Sequence, residues 1–200
     1  MALGDADAWL LDLDGTLYTA RWVKLGMALE LLLGGLTVAP VLRRFRHVHE
    51  QIRDLDAGGD PFRLQLERAA AALGKPADAV EAIVREWMFR RPAKWIARAK
   101  REALFTEIRA FRAQGGKTAV VSDYPAREKL AALGEPELFD VVVASGEPGG
   151  PARLKPDPAG YLRAAAALGV TPARCLVIGD REDADGAAAR AAGARFRLIR

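Results

Sequence analysis

The sequence predicts an α/β fold, a doubly wound parallel sheet with an all-helical segment inserted between its first and second strands. Three observations predict it. A short apolar run from Ala8 leads into Asp12 and Asp14, as in strands buried on both faces of a parallel sheet. From Lys117 to Ile199 strand patterns alternate with helix patterns, which argues parallel pairing. Between them, from about Thr19 to Ala99, helical patterns follow one another without a strand. The chain has 200 residues, half of them hydrophobic, enough to bury a full core either as one domain with an insertion or as two small ones.

Each element has a local reason. The first strand is expected over about Ala8 to Leu13. Trp22 to Leu33 has helical periodicity and stops at Gly34-Gly35. Leu25 to Leu42 is the only stretch suggestive of a membrane span, but Glu30, the glycine pair and Pro40 interrupt it and its length barely reaches the minimum. It predicts a buried helical hairpin. Val41 to Leu55 is helical and basic. His47 and His49, two apart, fall on different helix faces and do not suit a shared metal. Asp60-Pro61 opens a helix that Gly74 ends, and Pro76 opens another to about Arg90. Beyond Pro92, Lys94 to Gln114 predicts one helix with Leu104, Ile108 and Phe111 on a stripe, capped by Gly115-Gly116. Strands are then expected at Lys117 to Ser122, Asp140 to Ser145, Arg174 to Ile178 and Arg195 to Ile199. Helices at Pro125 to Leu133, Asp157 to Leu168 and Asp185 to Ala192 separate them.

Charge is unevenly spread. Ala20 to Ala110 holds 17 Lys and Arg against 11 Asp and Glu, a net of +6, and the remainder holds 13 against 15, a net of −2. Of the 30 basic residues 23 are Arg, which suits phosphate or carboxylate contacts and also reflects an Arg- and Ala-rich composition. The single cysteine, Cys175, lies in an apolar run and is expected in the core, so no intramolecular disulfide forms. Met1 to Ala8 lacks a basic segment followed by an apolar one, so no secretory signal is expected and a cytoplasmic setting is.

The chemistry is expected at the carboxyl end of the first strand. Asp12 and Asp14 would repel by roughly 4 kcal/mol at an effective dielectric of 20, which predicts a cation or a shared proton between them. Gly15 permits a sharp turn presenting backbone N–H groups to an anion, and the Thr16 hydroxyl can lock that turn. In a doubly wound sheet ligands sit at the carboxyl ends of the strands. Ser122 ends the second strand, Lys155 follows the third, and Asp180, with Asp183 and Asp185, follows the fourth. Singly each has a bland role as a cap or solvated loop residue; together they point to metal-assisted phosphoryl chemistry. Gly115-Gly116-Lys117-Thr118 is not a phosphate-binding P-loop, because Phe111 occupies the required second glycine and a helix leads into a strand, the reverse of that motif.

These motifs resemble the haloacid dehalogenase-like hydrolase superfamily. Its Asp-x-Asp-Gly-Thr stands here as Asp12-Leu13-Asp14-Gly15-Thr16, its second motif as Ser122 in Val120-Val121-Ser122-Asp123, its third as Lys155 in Leu154-Lys155-Pro156-Asp157, and its fourth as Gly179-Asp180 through Asp185. Ala184 replaces a frequent Thr, and the register leaves Asp183 or Asp185 as the supporting acid. The resemblance implies a Rossmann-like core of residues 1–18 and 100–200 and a helical cap of 19–99, similar to the phosphoglycolate phosphatase-like and phosphoglucomutase-like branch. It also implies Asp12 as nucleophile and Asp14 as acid and base, with Mg²⁺ held by Asp12, the Asp14 carbonyl and Asp180. Thr16, Ser122 and Lys155 would then bind phosphate. An acid at Asp14 favours phosphate-ester chemistry, since a halide leaves without a proton. The expected activity is hydrolysis of a small phosphate monoester. A sugar-phosphate mutase and a non-catalytic binding module are the alternatives. Arg43, Arg44, Arg46, Arg53, Arg90, Arg91, Lys94 and Arg98 are candidate substrate contacts on the cap. No membrane partner is expected, nucleic acid is disfavoured though compatible with the basic segment, and the oligomeric state is open.

Overall fold

The computed structural model describes residues 6–53, 55 and 59–200. Among them five parallel strands form one sheet, β1 (Ala8–Leu11), β2 (Lys117–Ser122), β3 (Val141–Ala144), β4 (Cys175–Gly179) and β5 (Arg195–Leu198), in the order β3-β2-β1-β4-β5. β1 is central and wholly buried, with Trp9 and Leu11 facing one layer and Ala8 and Leu10 the other. On the first side lie α6 (Glu102–Ala113) and α7 (Arg127–Leu133), contributing Leu104, Phe105, Ile108, Leu130 and Leu133, with Phe111 stacked on Trp9 at 4.4 Å. On the second lie α8 (Ala159–Leu168) and α9 (Ala187–Ala192), contributing Tyr161, Ala164, Leu168 and Ala188. A π-helical turn, Glu182–Gly186, leads into α9. Two covered faces are what a continuous apolar strand such as β1 requires.

Between β1 and α6 the chain is helical: α1 (Ala20–Gly34), α2 (Ala39–Ile52), α3 (Pro61–Leu73), α4 (Ala77–Val84) with a π-helical continuation to Arg90, and α5 (Ala93–Ala99). The start and stop signals act as expected at α3, where the Asp60 side chain accepts from the N–H groups of Phe62 and Arg63 and Gly74 ends the helix in a left-handed conformation. Phe45, Val48, Ile52, Phe62, Leu66, Val80, Val84 and Phe89 form an apolar cluster of their own. Leu154 and Tyr124, from the loops above the sheet, pack into it, so the insertion is seated on those loops.

Two expectations are corrected. The single helix expected over Lys94 to Gln114 is two, α5 and α6. Lys100 is extended between them and forms an antiparallel bridge with Tyr18, and this pair marks where the chain leaves and re-enters the sheet layer. The buried hairpin expected over Leu25 to Leu42 is not buried along α1. Val23 and Gly26 face inward, but Leu25, Leu29, Leu32, Leu33 and Leu36 are exposed, because the inner side of α1 is already filled by Trp95 and Trp87. The expected run of α2 to Leu55 passes Asp54, and the amino-terminal reading falls on residues 1–5; both lie outside the described residues. Cys175 is buried and free. Among the described residues no helix is long and apolar enough to cross a membrane.

Candidate active site

Sheet register builds the site. Leu11 pairs with Val120 on one side and Ile178 on the other, so the three central strands end level and Asp12, Ser122 and Asp180 emerge at one edge. The order of connection reverses between β1 and β4, the crevice where such sheets bind ligands.

Asp12 is buried and held on both oxygens. Its Oδ2 accepts from the Thr16 hydroxyl at 2.9 Å and its Oδ1 from Lys155 Nζ at 2.5 Å. Lys155 Nζ also donates to Asp185 Oδ1 at 2.8 Å, an oxygen that accepts from the Tyr161 hydroxyl as well. Asp185 Oδ2 takes the Arg181 N–H at 3.2 Å. One oxygen from each of Asp12, Asp180 and Asp185 lies within 4.8 Å of the others. Two glycines make room for this. Gly15 has φ of 102°, and a Cβ there would collide with Asp180 Oδ2; a Cβ on Gly179 would stand 2.5 Å from Asp185 Cβ.

With all three acids ionised, three carboxylates and one ammonium leave a formal charge of −2 in a cluster where Asp12 and Asp185 are buried and Asp180 is partly exposed. Burial raises the pKa of Asp12, Lys155 opposes, and Asp185 and Asp14 push it further up; Asp180 is raised by burial and then by Asp185. The cluster therefore has unmet demand for positive charge. An all-oxygen donor set with a surplus of two negative charges fits Mg²⁺, a hard cation that binds carboxylates and retains waters.

Asp14 faces elsewhere. Lys129 Nζ lies 2.6 Å from both its oxygens, and the Tyr18 hydroxyl donates to Oδ1. Burial pushes the Asp14 carboxyl up, but Lys129 and Tyr18 outweigh it and hold it below the usual carboxylate range. The positive charge expected beside the two acids is met in part by two lysines, Lys155 on Asp12 and Asp185 and Lys129 on Asp14. Ser122 is buried and its Oγ accepts the Tyr124 N–H at 3.2 Å, a turn-capping contact at the end of β2. Of the two acids left open by the register, Asp185 joins the cluster, and Asp183 is exposed and paired with Arg181 at 2.6 Å.

The insertion meets the core beside these groups. Asp123 Oδ1 accepts the Lys155 N–H at 3.1 Å, and its Oδ2 lies 4.0 Å from Nε2 of His49 on α2. His49 is buried, stacks on Tyr124 at 4.5 Å, and has its pKa lowered by burial despite Asp123. Phe89 lies 5.5 Å from Lys129 Nζ. The basic residues of the insertion behave differently: Arg43, Arg44, Arg46 and Arg90 are exposed, Arg53 pairs with Glu50, Arg91 and Lys94 pair with Glu30, and Arg98 lies over Trp95.

Lys129 was invisible to motif reading, yet its signal is present. It lies on the stripe Ala126, Lys129, Leu130, Leu133, the buried face of α7, and a lysine there demands a buried acid. Tyr161 and Asp123 carry no such signal, because their roles depend on the crossing of distant elements.

The profile of haloacid dehalogenase-like hydrolases matches residues 6–193. The chain belongs to that family. Phosphoserine phosphatase of Thermus thermophilus is 32% identical over 142 residues, which cover 67% of this chain and 51% of that protein, so the match spans about half the relative's length. In fold the chain is similar to 2-haloacid dehalogenase from Pseudomonas syringae pv. Tomato DC3000, with a TM-score of 0.62 at 20% identity over 97% of this chain and 86% of that one. It is also similar to β-phosphoglucomutase from Clostridium difficile, with a TM-score of 0.61 at 18% identity over 96% and 83%.

Proposed function

We propose that this family member is a Mg²⁺-dependent phosphatase that hydrolyses a small phosphate monoester through an aspartyl-phosphate on Asp12. The observation that carries the reading is the buried Asp12, held by Thr16 and Lys155 within a cluster of formal charge −2. Asp12 and Asp180 would hold Mg²⁺ with Asp185 in support, and the family resemblance adds the Asp14 carbonyl. Bound there, the ion supplies positive charge that lets an anionic carboxylate approach an anionic phosphate.

The chain's own groups do the rest. Asp12 attacks phosphorus as the ester P–O bond breaks, and the departing oxygen takes a proton from Asp14. Asp14, now a carboxylate, takes a proton from the water that attacks the acyl phosphate, which releases inorganic phosphate and restores Asp12. Thr16 and Lys155 fix the Asp12 oxygens throughout, and Lys155 with Ser122 binds the phosphoryl oxygens. With Lys129 in place Asp14 is a base, the form the second step needs. The first step needs it protonated, so Lys129 must leave it, and an entering phosphate dianion is the charge that would draw the ammonium away.

Residues 19–99 act in this reading as a cap hinged at Tyr18 and Lys100 that opens to admit substrate, since Asp12, Ser122 and Lys155 are all buried with the insertion seated. A cytoplasmic setting belongs to the same proposal. The test is hydrolysis of p-nitrophenyl phosphate and of a panel of phosphate esters, phosphoserine first because of the relative's name, with Mg²⁺ and with EDTA. Release of inorganic phosphate that requires Mg²⁺ supports the reading; binding without turnover, or isomerisation of a sugar phosphate without release, overturns it.

A further inference from the structure

The outer face of α1 carries an apolar stripe that no element covers among the described residues. Trp22, Leu25, Leu29, Leu32 and Leu33 on the helix, and Leu36 in the turn after it, are 52 to 79% exposed. On the helix, positions 22, 25, 29 and 32 alternate by three and four residues, the spacing of a seam that packs against another helix, and Leu36 extends the row just beyond the helix end. The opposite face of α1 is satisfied: Gly26 and Gly35 let Trp95 and Trp87 approach, and Glu30 accepts from Trp95 Nε1 at 2.6 Å and pairs with Lys94. The stripe is therefore an addition to a helix that is already packed.

We infer that this seam is the interface of a homodimer, in which two copies of α1 pair antiparallel about a two-fold axis through Leu29. Area supports a protein partner. Six side chains exposed to this degree present roughly 600 Å² of apolar surface, more than isolated monomers usually leave open and close to the ~800 Å² per partner of a stable interface. Charge selects the orientation. Arg21 and Lys24 lie in the first turns, no acid stands in the first turn, and no base in the last. A parallel pair would bring both basic ends together. An antiparallel pair sets Arg21 and Lys24 of each copy beside the carbonyl-rich carboxyl end of the other, where a cation complements the helix dipole. The same patch then serves both copies, and Leu29, midway between Trp22 and Leu36, meets itself. A helix lying on an anionic membrane would instead carry basic residues along both flanks of a broad apolar arc, whereas here they stand at one end of a narrow seam.

Sedimentation equilibrium of the full chain from about 1 to 100 μM tests the pairing. The expected mass is twice 21.6 kDa, and Leu29→Glu with Leu32→Glu should weaken dimerisation at least 100-fold while circular dichroism and thermal unfolding of the monomer stay cooperative. Orientation is tested by oxidative cross-linking, for which the buried native Cys175 is silent. Leu29→Cys should cross-link to itself, and Trp22→Cys should cross-link only to Leu36→Cys on a second copy. A monomer at 100 μM overturns the proposal, with or without binding to phosphatidylserine vesicles. Self-cross-linking of Trp22→Cys overturns the antiparallel geometry.

Discussion

Asp12 and Asp14 stand two residues apart at the end of one strand, each against a buried lysine, yet their acidities move in opposite directions. Asp12 shares Lys155 with Asp185 and lies near Asp180, so burial and like charge raise it. Asp14 has Lys129 to itself along with the Tyr18 hydroxyl, and it is lowered. One site is short of positive charge and the other is balanced. The difference suits the first to a cation and an anionic substrate, and the second to proton traffic.

The largest effect expected from breaking this contrast is at Asp12. Asp12→Asn replaces the proposed nucleophile with little change of shape, and kcat should fall by a factor on the order of 10³ or more on every ester while the melting curve persists. Asp14→Asn should fall by a factor on the order of 10² to 10⁴ on alkyl phosphates and far less on p-nitrophenyl phosphate, whose leaving group needs little protonation. Equal losses on both substrates would remove the acid role. Next come the supporting acids. Asp185→Ala should raise the Mg²⁺ needed for half-activation by about 10- to 100-fold, as losses around a metal site do, and the exposed Asp183→Ala should leave it within about two-fold. A larger effect at Asp183 would reverse the register assigned to the fourth motif.

A smaller and more diagnostic change is Lys129→Met. Without the ammonium, burial of Asp14 is opposed only by the Tyr18 hydroxyl and the more distant Lys155 and its pKa rises, so the acidic limb of the pH–kcat profile should move to higher pH where hydrolysis of the acyl phosphate limits turnover. An unmoved limb would detach Lys129 from the chemistry. The smallest effect lies at the junction with the insertion. His49 has a folded-state pKa below its ordinary value of about 6.5, so the unfolded chain binds the proton more readily. Stability contributed there is present above that pH and is lost as pH falls through and below it, and His49→Gln should flatten that part of the thermal-stability profile.

How much of this was legible in the sequence differs between the two regions. The sheet and its order of elements follow from apolar runs and Gly or Pro stops, and the residues that the structure gathers at the strand ends, Asp12, Thr16, Ser122, Lys155, Asp180 and Asp185, lie on motifs of fixed spacing. Spacing along one strand or turn is a local property. The partner of Asp14 is not, since Lys129 sits 115 residues away on a helix whose placement depends on the packing of α5 and α7. The break at Lys100 was hidden for a similar reason, because the helical stripe of Leu104, Ile108 and Phe111 continues the preceding period and only the bridge to Tyr18 interrupts it. The leucines of α1 have a helical period that reports a buried face without saying which molecule buries it.

The central claim is the covalent bond at Asp12. Rapid acid quenching of the Mg²⁺-loaded protein during turnover of a phosphate ester, followed by borohydride reduction and peptide mass mapping, converts a phosphorylated aspartate to homoserine. The expected result is homoserine at position 12 and an unchanged aspartate at position 14. Homoserine at another position, or sustained phosphate release with no residue converted, would contradict it.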